Sequence, residues 1–338
     1  MTSFLGHEKQ QRIFRQAFDK STLHHAWILA GDQGLGKAGF AEQAAKFLLD
    51  ANHDPDHFSK QVDNQTSHLM AAGSHPDFRI LKRGPKGDKE EKKARDHGLD
   101  SLEEQELARN IKIAQVRLLQ PLFNSQPSIS SYRVVVIDAI DDLERSGANA
   151  LLKNLEEPPK NTIFLLVSHT PERLLPTIRS RCQVLRFDPL DDEQMQQLLR
   201  EKAPKLDEVE IAALVAAGEG SPGRALRFVD AGLAELDDIA KAIMRSGDNN
   251  NALKTDLARK LSLKAATPRY QAFIERVPNL MAQHIKSSDQ SDKIRQIDCW
   301  REASDLAAMA VPKALDSQSV VFRLSSLMGS LAQSDRRA

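Results

Sequence analysis

Gly31-Asp32-Gln33-Gly34-Leu35-Gly36-Lys37 carries the plainest chemical signal in the chain. Glycines at this spacing, ending in a lysine, let backbone N–H groups converge on phosphate oxygens at the start of a helix, and the lysine adds positive charge there. The next residue is Ala38, where a serine or threonine would hold a magnesium ion. Nucleotide hydrolysis needs further groups. An acid at the end of a neighbouring strand holds the metal through water, and Asp138 has that place after Val134–Ile137. A second acid usually follows at once to orient the attacking water, but that position is Ala139. Asp141 and Asp142 come about one turn later, where acids more often serve as helix-dipole partners and caps, and they are read so. Ser168 or Thr170 would supply a polar group at the tip of the next strand. Arg181, in Ser180-Arg181-Cys182, offers a planar, permanently charged fork suited to a terminal phosphate. On the residues alone, a local ion pair or a helix cap is the plainer use of it.

Strands must position these groups. Ala26–Ala30 runs straight into the glycine loop, and Gly39–Asp50 follows as a helix, which speaks against a coincidental glycine turn. Val134–Ile137 and Ile163–Val167 are short β-branched runs of the kind buried on both faces of a parallel sheet. Between them Leu143, Ala150, Leu151 and Leu155 share a helical face closed by Pro158–Pro159, giving a right-handed βαβ unit with its functional edge at Asp138 and Ser168. Asp77–Leu81 and Gln183–Phe187 complete the expected sheet. Residues 82–109 are basic first and acidic after, and are read as an exposed, flexible insertion leading into a short helix. Ile111–Ile113 reads as a brief edge segment and Val116–Phe123 as helical. Beyond Asp191, a candidate N-cap, three short helical segments precede a stretch with 3.6-type periodicity only, as in Leu253, Leu257, Leu261 and Leu324, Leu327, Leu331. One α/β domain followed by two helical ones is expected.

Lys plus Arg equal Asp plus Glu at 47 each, whereas a chain that held DNA alone through phosphate neutralisation would more often be basic. Sparse aromatics argue against a base-stacking platform. Two separated cysteines, Cys182 and Cys299, fit a reducing compartment, and no apolar run approaches the roughly 20 residues of a membrane span, so a cytoplasmic location is expected. His53, His57, His68 and His75 show no ligand pair at metal-binding spacing and are read as solvated.

Ala148–Pro159 (ANALLKNLEEPP) and Pro171–Cys182 (PERLLPTIRSRC) closely resemble the bacterial clamp-loader subunits of DNA polymerase III, a branch of the AAA+ superfamily. The likeness runs from Leu5-Gly6-His7 through the phosphate loop and Ile113–Leu119 to Glu219–Leu226, and within the family the sequence looks like the delta-prime branch, the rigid stator of the ring. It implies an AAA+/RecA-like P-loop domain over 1–187, a small three-helix lid over 188–232 and an all-α oligomerisation collar over 233–338. It also implies a hetero-pentameric ring with gamma/tau ATPase and delta subunits, which loads the sliding clamp onto primer-template DNA. In such a ring each ATP site takes its phosphate loop from one subunit and an arginine finger from the next; carried over, the finger is Arg181. Gly31, Gly34, Gly36, Lys37 and Asp138 become a degenerate nucleotide site. In the GS-x-R-x-AL motif of the hydrolysing subunits, Gly223 takes the arginine's place and Arg224 comes one residue late. A subunit without ATPase activity of its own is expected, with ATP or ADP binding left open. The four-cysteine zinc module of many relatives has no counterpart in Ala51–Ser74, so no zinc is expected. The alternative is an ATP-hydrolysing gamma/tau-like motor of the same ring.

Overall fold

The computed structural model describes residues 5–332 apart from 54–57, 59–61, 103–105, 124 and 288–291. His57, among the histidines weighed above, lies outside the described residues. The chain divides into two compact units, Met1–Gln194 and Met195–Ala338.

The first unit runs α1 (Glu8–Asp19), β1 (Ala26–Ala30), α2 (Lys37–Leu49), α3 (Gln65–Ala71), β2 (Phe78–Lys82), α4 (Asp88–His97), α5 (Ile113–Arg117), α6 (Gln120–Phe123), β3 (Arg133–Asp138), α7 (Arg145–Glu156), β4 (Thr162–Ser168), α8 (Pro176–Arg179) and β5 (Gln183–Arg186). Its five strands are all parallel, in the order β2-β3-β4-β1-β5. The expected parallel α/β sheet is therefore present. Strand alternation divides the apolar side chains between two cores. Trp27, Leu29, Val134, Val136, Leu165 and Val167 pack with Phe14 of α1 and Phe40, Ala44 and Leu48 of α2 on one face. Ile28, Val135, Ile137, Phe164 and Leu166 pack with Val116 of α5, Leu151 and Leu155 of α7 and Ile178 of α8 on the other. Each fully buried side chain of this size stabilises the fold by about 1.5–3 kcal/mol.

The charged insertion differs from its sequence reading. Its helix, α4, lies within the charged run rather than after it, and buries no residue. The flanks close on each other: Lys86 N–H donates to the Glu106 carbonyl at 2.9 Å, Ala108 N–H to that of Gly84 at 2.8 Å, and the Lys93 ammonium pairs with Glu106 at 2.7 Å. Ile111 makes an isolated parallel bridge to Leu143, and the helical stretch after it breaks into α5 and α6. Asp191 caps as expected, its carboxylate accepting from Gln194 N–H at 2.8 Å.

From residue 192 the chain is helical, with no strand among the described residues: α9 (Asp192–Lys202), α10 (Glu208–Gly218), α11 (Pro222–Leu226), α12 (Leu233–Ser246), α13 (Ala252–Leu261), α14 (Thr267–Ser287), α15 (Lys293–Ala310) and α16 (Ser317–Leu331). A buried bidentate ion pair organises three of them. Arg276 of α14 donates to Asp237 of α12 at 3.0 and 2.8 Å, and to the Ala216 carbonyl of α10 at 3.2 Å. The Glu210 carboxylate caps α12 by accepting from Leu233 and Ala234 N–H at 2.7 and 3.1 Å. Leu257, Leu261, Leu324, Leu327 and Leu331 are buried as the periodicity requires. Leu253 is 39% exposed, because two steps of four residues rotate about 80° off the shared face. Among the described residues no helix is long and apolar enough to cross a membrane.

Candidate functional site

The glycine loop leaves the sheet between β4 and β5. Gly31 has φ +152° and lies so close to the residue that follows β5 that a Cβ would stand 2.5 Å from the Phe187 carbonyl oxygen, so only glycine fits. Gly34 and Gly36 take left-handed φ values of 85° and 83°, which turn the chain into α2. Lys37, the first residue of α2, is buried, and its ammonium donates to the carbonyls of Gly31 at 2.6 Å and Asp32 at 2.5 Å. Burial lowers its pKa to about 8, against the opposing pull of Asp141, Asp32 and Asp138.

His7 supports this loop from the far side. Its Nε2 lies 2.7 Å from the Leu35 carbonyl, which can only accept, so Nε2 carries the hydrogen. The ring is buried, packs edge-on against Phe187 with centroids 4.9 Å apart, and is held below the ordinary histidine pKa by burial. Sequence reasoning had met His7 only as part of a family likeness and gave it no role.

Asp138 ends β3 in register with Lys82 of β2 and Val167 of β4, at the carboxyl edge of the sheet. The buried Ala139 follows it. The next acid overturns its sequence reading. Residues 140–142 form a 3₁₀ turn before α7, and this turn aims Asp141 at the tip of β4 instead of along the helix. Its carboxylate accepts from Ser168 Oγ at 2.9 Å, His169 N–H at 2.6 Å, Thr170 N–H at 3.2 Å and Thr170 Oγ1 at 3.0 Å. Burial raises its pKa, but these four donors outweigh burial and hold the carboxyl below its ordinary value. The Ser168 and Thr170 hydroxyls are thereby committed to Asp141. Asp142 pairs with Arg83 at 3.1 Å.

A cavity of about 470 Å³ opens beside these groups. Asp138, Ala139, His169 and Gln33 of the glycine loop line one part of it, and Leu99, Leu102 and Leu107 of the insertion line another. His169 Nδ1 is buried there without a hydrogen-bond partner, and burial lowers the pKa of the ring. Gly31, Gly34 and Gly36, with Lys37 as the nearby cation, are the residues that could hold a phosphate. Ala38 brings no oxygen for a metal, and the described residues hold no cluster of three His, Cys, Asp or Glu that could bind one.

Arg181 stands apart, outside the lining of this cavity. Its guanidinium donates to the Thr177 carbonyl at 2.8 Å and pairs at 2.7 Å with Glu156 at the end of α7, and its side chain is 33% exposed. Burial pushes the neighbouring Cys182 thiol up to about 12. In the second unit Arg224 pairs with Glu219 at 2.7 Å.

Comparison with known proteins places these features in a family. A family model described as DNA polymerase III, delta subunit, matches residues 6–191. DNA polymerase III subunit delta' of Pseudomonas aeruginosa is 32% identical over 227 residues, covering 67% of this chain and 62% of its own length. The Bacillus subtilis subunit delta' is 30% identical over 200 residues, covering 58% and 52%. Subunit tau of the same organism is 25% identical over 278 residues, covering 80% and 45%. The chain thus spans between under half and three-fifths of the length of these relatives. More than half of it, including the glycine loop, Asp138, Asp141 and Arg181, falls inside the family match, and the chain belongs to the DNA polymerase III delta-subunit family.

Proposed function

We propose that the protein is a delta-prime-like stator of the DNA polymerase III clamp loader, which does not hydrolyse ATP and lends Arg181 to the ATP site of a neighbouring gamma/tau-type subunit. Its partners are then that ATPase and delta in a hetero-pentameric ring, with the sliding clamp and primed DNA reached through the complex. Residues 1–187 act as the AAA+ domain, 188–232 as its lid and 233–338 as the collar. Gly31, Gly34, Gly36 and Lys37 are the residues that would hold phosphate, with Asp138 beside them.

The observation that carries this reading is the state of the chain's own site. Ala38 and Ala139 stand where a hydroxyl and a base are needed. Arg181, by contrast, is free to change partners. A surface ion pair such as that with Glu156 is worth about 0–1 kcal/mol, so exchanging it for a phosphate costs little.

The test is a reconstituted loader carrying Arg181→Ala. DNA-stimulated ATP turnover should fall by the share contributed by the one site Arg181 serves, far less than the roughly 10³–10⁵ an arginine finger contributes at a single site, because the other sites of the ring stay intact. Unchanged turnover and clamp loading would remove the finger assignment. ATP turnover by the isolated protein, abolished by Lys37→Ala, would favour the motor-subunit alternative.

A further inference from the structure

We infer that the groove between α7 and α8 is a docking site for an acidic, aliphatic segment of a neighbouring protein subunit, and that its occupation fixes where Arg181 stands. A cavity of about 370 Å³ opens between the start of α7 and residues 170–178, on the scale of binding pockets at roughly 300–1,000 Å³. Its floor is aliphatic, formed by Ile140, Leu143, Ala148, Leu174, Leu175 and Ile178.

The charge around that floor is one-sided. Arg145 and Arg173 line the cavity and are exposed, and among the described residues neither forms an ion pair. The acid in the lining, Asp141, is engaged by Ser168, His169 and Thr170. Two unneutralised guanidinium groups over an aliphatic floor are matched by carboxylates flanking a leucine-like side chain. A nucleic-acid backbone would satisfy the arginines and leave the floor wet. A polypeptide with both features satisfies both, which is why the occupant is a protein.

The groove is wired to the proposed finger by short covalent and hydrogen-bonded links. Ile178 is part of the floor, and its carbonyl accepts from the Arg181 N–H at 3.1 Å. Thr177, next to it, accepts from the Arg181 guanidinium at 2.8 Å. Arg145 starts α7 and Glu156, the anion that holds Arg181, ends it. A partner seated on α7 and Ile178 is therefore held in register with Arg181. This last step, and the choice of a tau/gamma-type subunit as the partner, rest on the function proposed above.

The experiment measures association of the complete protein with the tau/gamma-type subunit of the same organism by titration calorimetry, and ATP turnover of the reconstituted loader. Arg145→Glu/Arg173→Glu should weaken association by at least about tenfold, the size expected when anchoring arginines at an interface are lost. Arg179→Glu, a nearby exposed control, should change it by no more than about twofold, and all thermal midpoints should stay close to the native one. Arg145→Lys/Arg173→Lys should keep most of the affinity. The groove is refuted if the double reversal associates like the native chain, if Arg179→Glu weakens association as much, or if the native chain does not associate. Arg181→Ala should lower turnover while association stays within about threefold, since it removes a contact outside the groove. Unchanged turnover in Arg181→Ala with impaired assembly in the double reversal would sink the finger and leave the groove standing.

Discussion

Replacing Asp141 by alanine removes one carboxylate and four hydrogen bonds at the tip of β4. Two of the donors are the Ser168 and Thr170 hydroxyls, which can turn to water. The other two are the backbone N–H groups of His169 and Thr170, which cannot turn. A hydrogen bond to a charged group is worth about 1.5–3 kcal/mol, and the half-buried position puts both at the lower end, so the expected loss is about 3 kcal/mol. Asp141→Asn keeps one acceptor oxygen and should lose roughly half as much. The two tryptophans make the assay selective. Trp27 is wholly buried in the sheet of the first unit and Trp300 lies in the second, so urea unfolding followed by fluorescence in a Trp300→Phe background reports the first unit. The pH dependence follows from the sign of the shift. The folded carboxyl is held below its unfolded value, so its stabilisation is fully present above the unfolded pKa near ~4 and vanishes as pH falls through the folded value. The native chain and Asp141→Ala should therefore differ by a constant amount from pH 8 to about pH 5 and converge in stronger acid. A loss below about 1 kcal/mol at pH 7, or convergence already at pH 6, would refute the carboxylate as the organiser of this strand tip.

Lys37 gives a pH effect of the same sense in a more alkaline window. Its folded pKa of about 8 lies below the unfolded 10.5, so between these values the unfolded chain binds the extra proton and stability rises with pH, at up to about 1.4 kcal/mol per unit. Lys37→Met should flatten that rise in urea titrations read through Trp27, and a native chain with no rise would refute the depressed pKa. In the second unit Asp237→Ala should cost about 3–5 kcal/mol, since it strands the buried Arg276, whereas Asp237→Leu with Arg276→Met should recover most of the loss in thermal unfolding followed by circular dichroism.

Buried strands were legible because burial on both faces leaves an uninterrupted apolar run. Ala26–Ala30 coincides with β1, and β3 and β4 exceed the runs Val134–Ile137 and Ile163–Val167 by one residue at each end. The loop glycines were legible for a related reason, since their backbone angles exclude other residues. Asp141 was not, because its partners lie 27 to 29 residues downstream and only the folded turn at 140–142 aims it at them. The insertion was legible as exposed, since its helix buries no residue, but its leucines report a wall of the cavity only once the glycine loop is in place. Arg276 and Asp237 hide in amphipathic helices, where isolated charges look solvated until two helices bring them together.

The strand order also governs how the chain comes off the ribosome. Ala26 of β1 pairs with Phe164 of β4, so β1 finds that neighbour 138 residues later. Its other neighbour, β5, comes later still. At about 5–20 residues per second the apolar segment Ala26–Ala30 waits roughly 7–28 s without a lateral partner. Such an unpaired apolar edge is the species that aggregates or recruits a chaperone during synthesis. β1, which ends in the glycine loop, is thus among the last parts of the first unit to become safe.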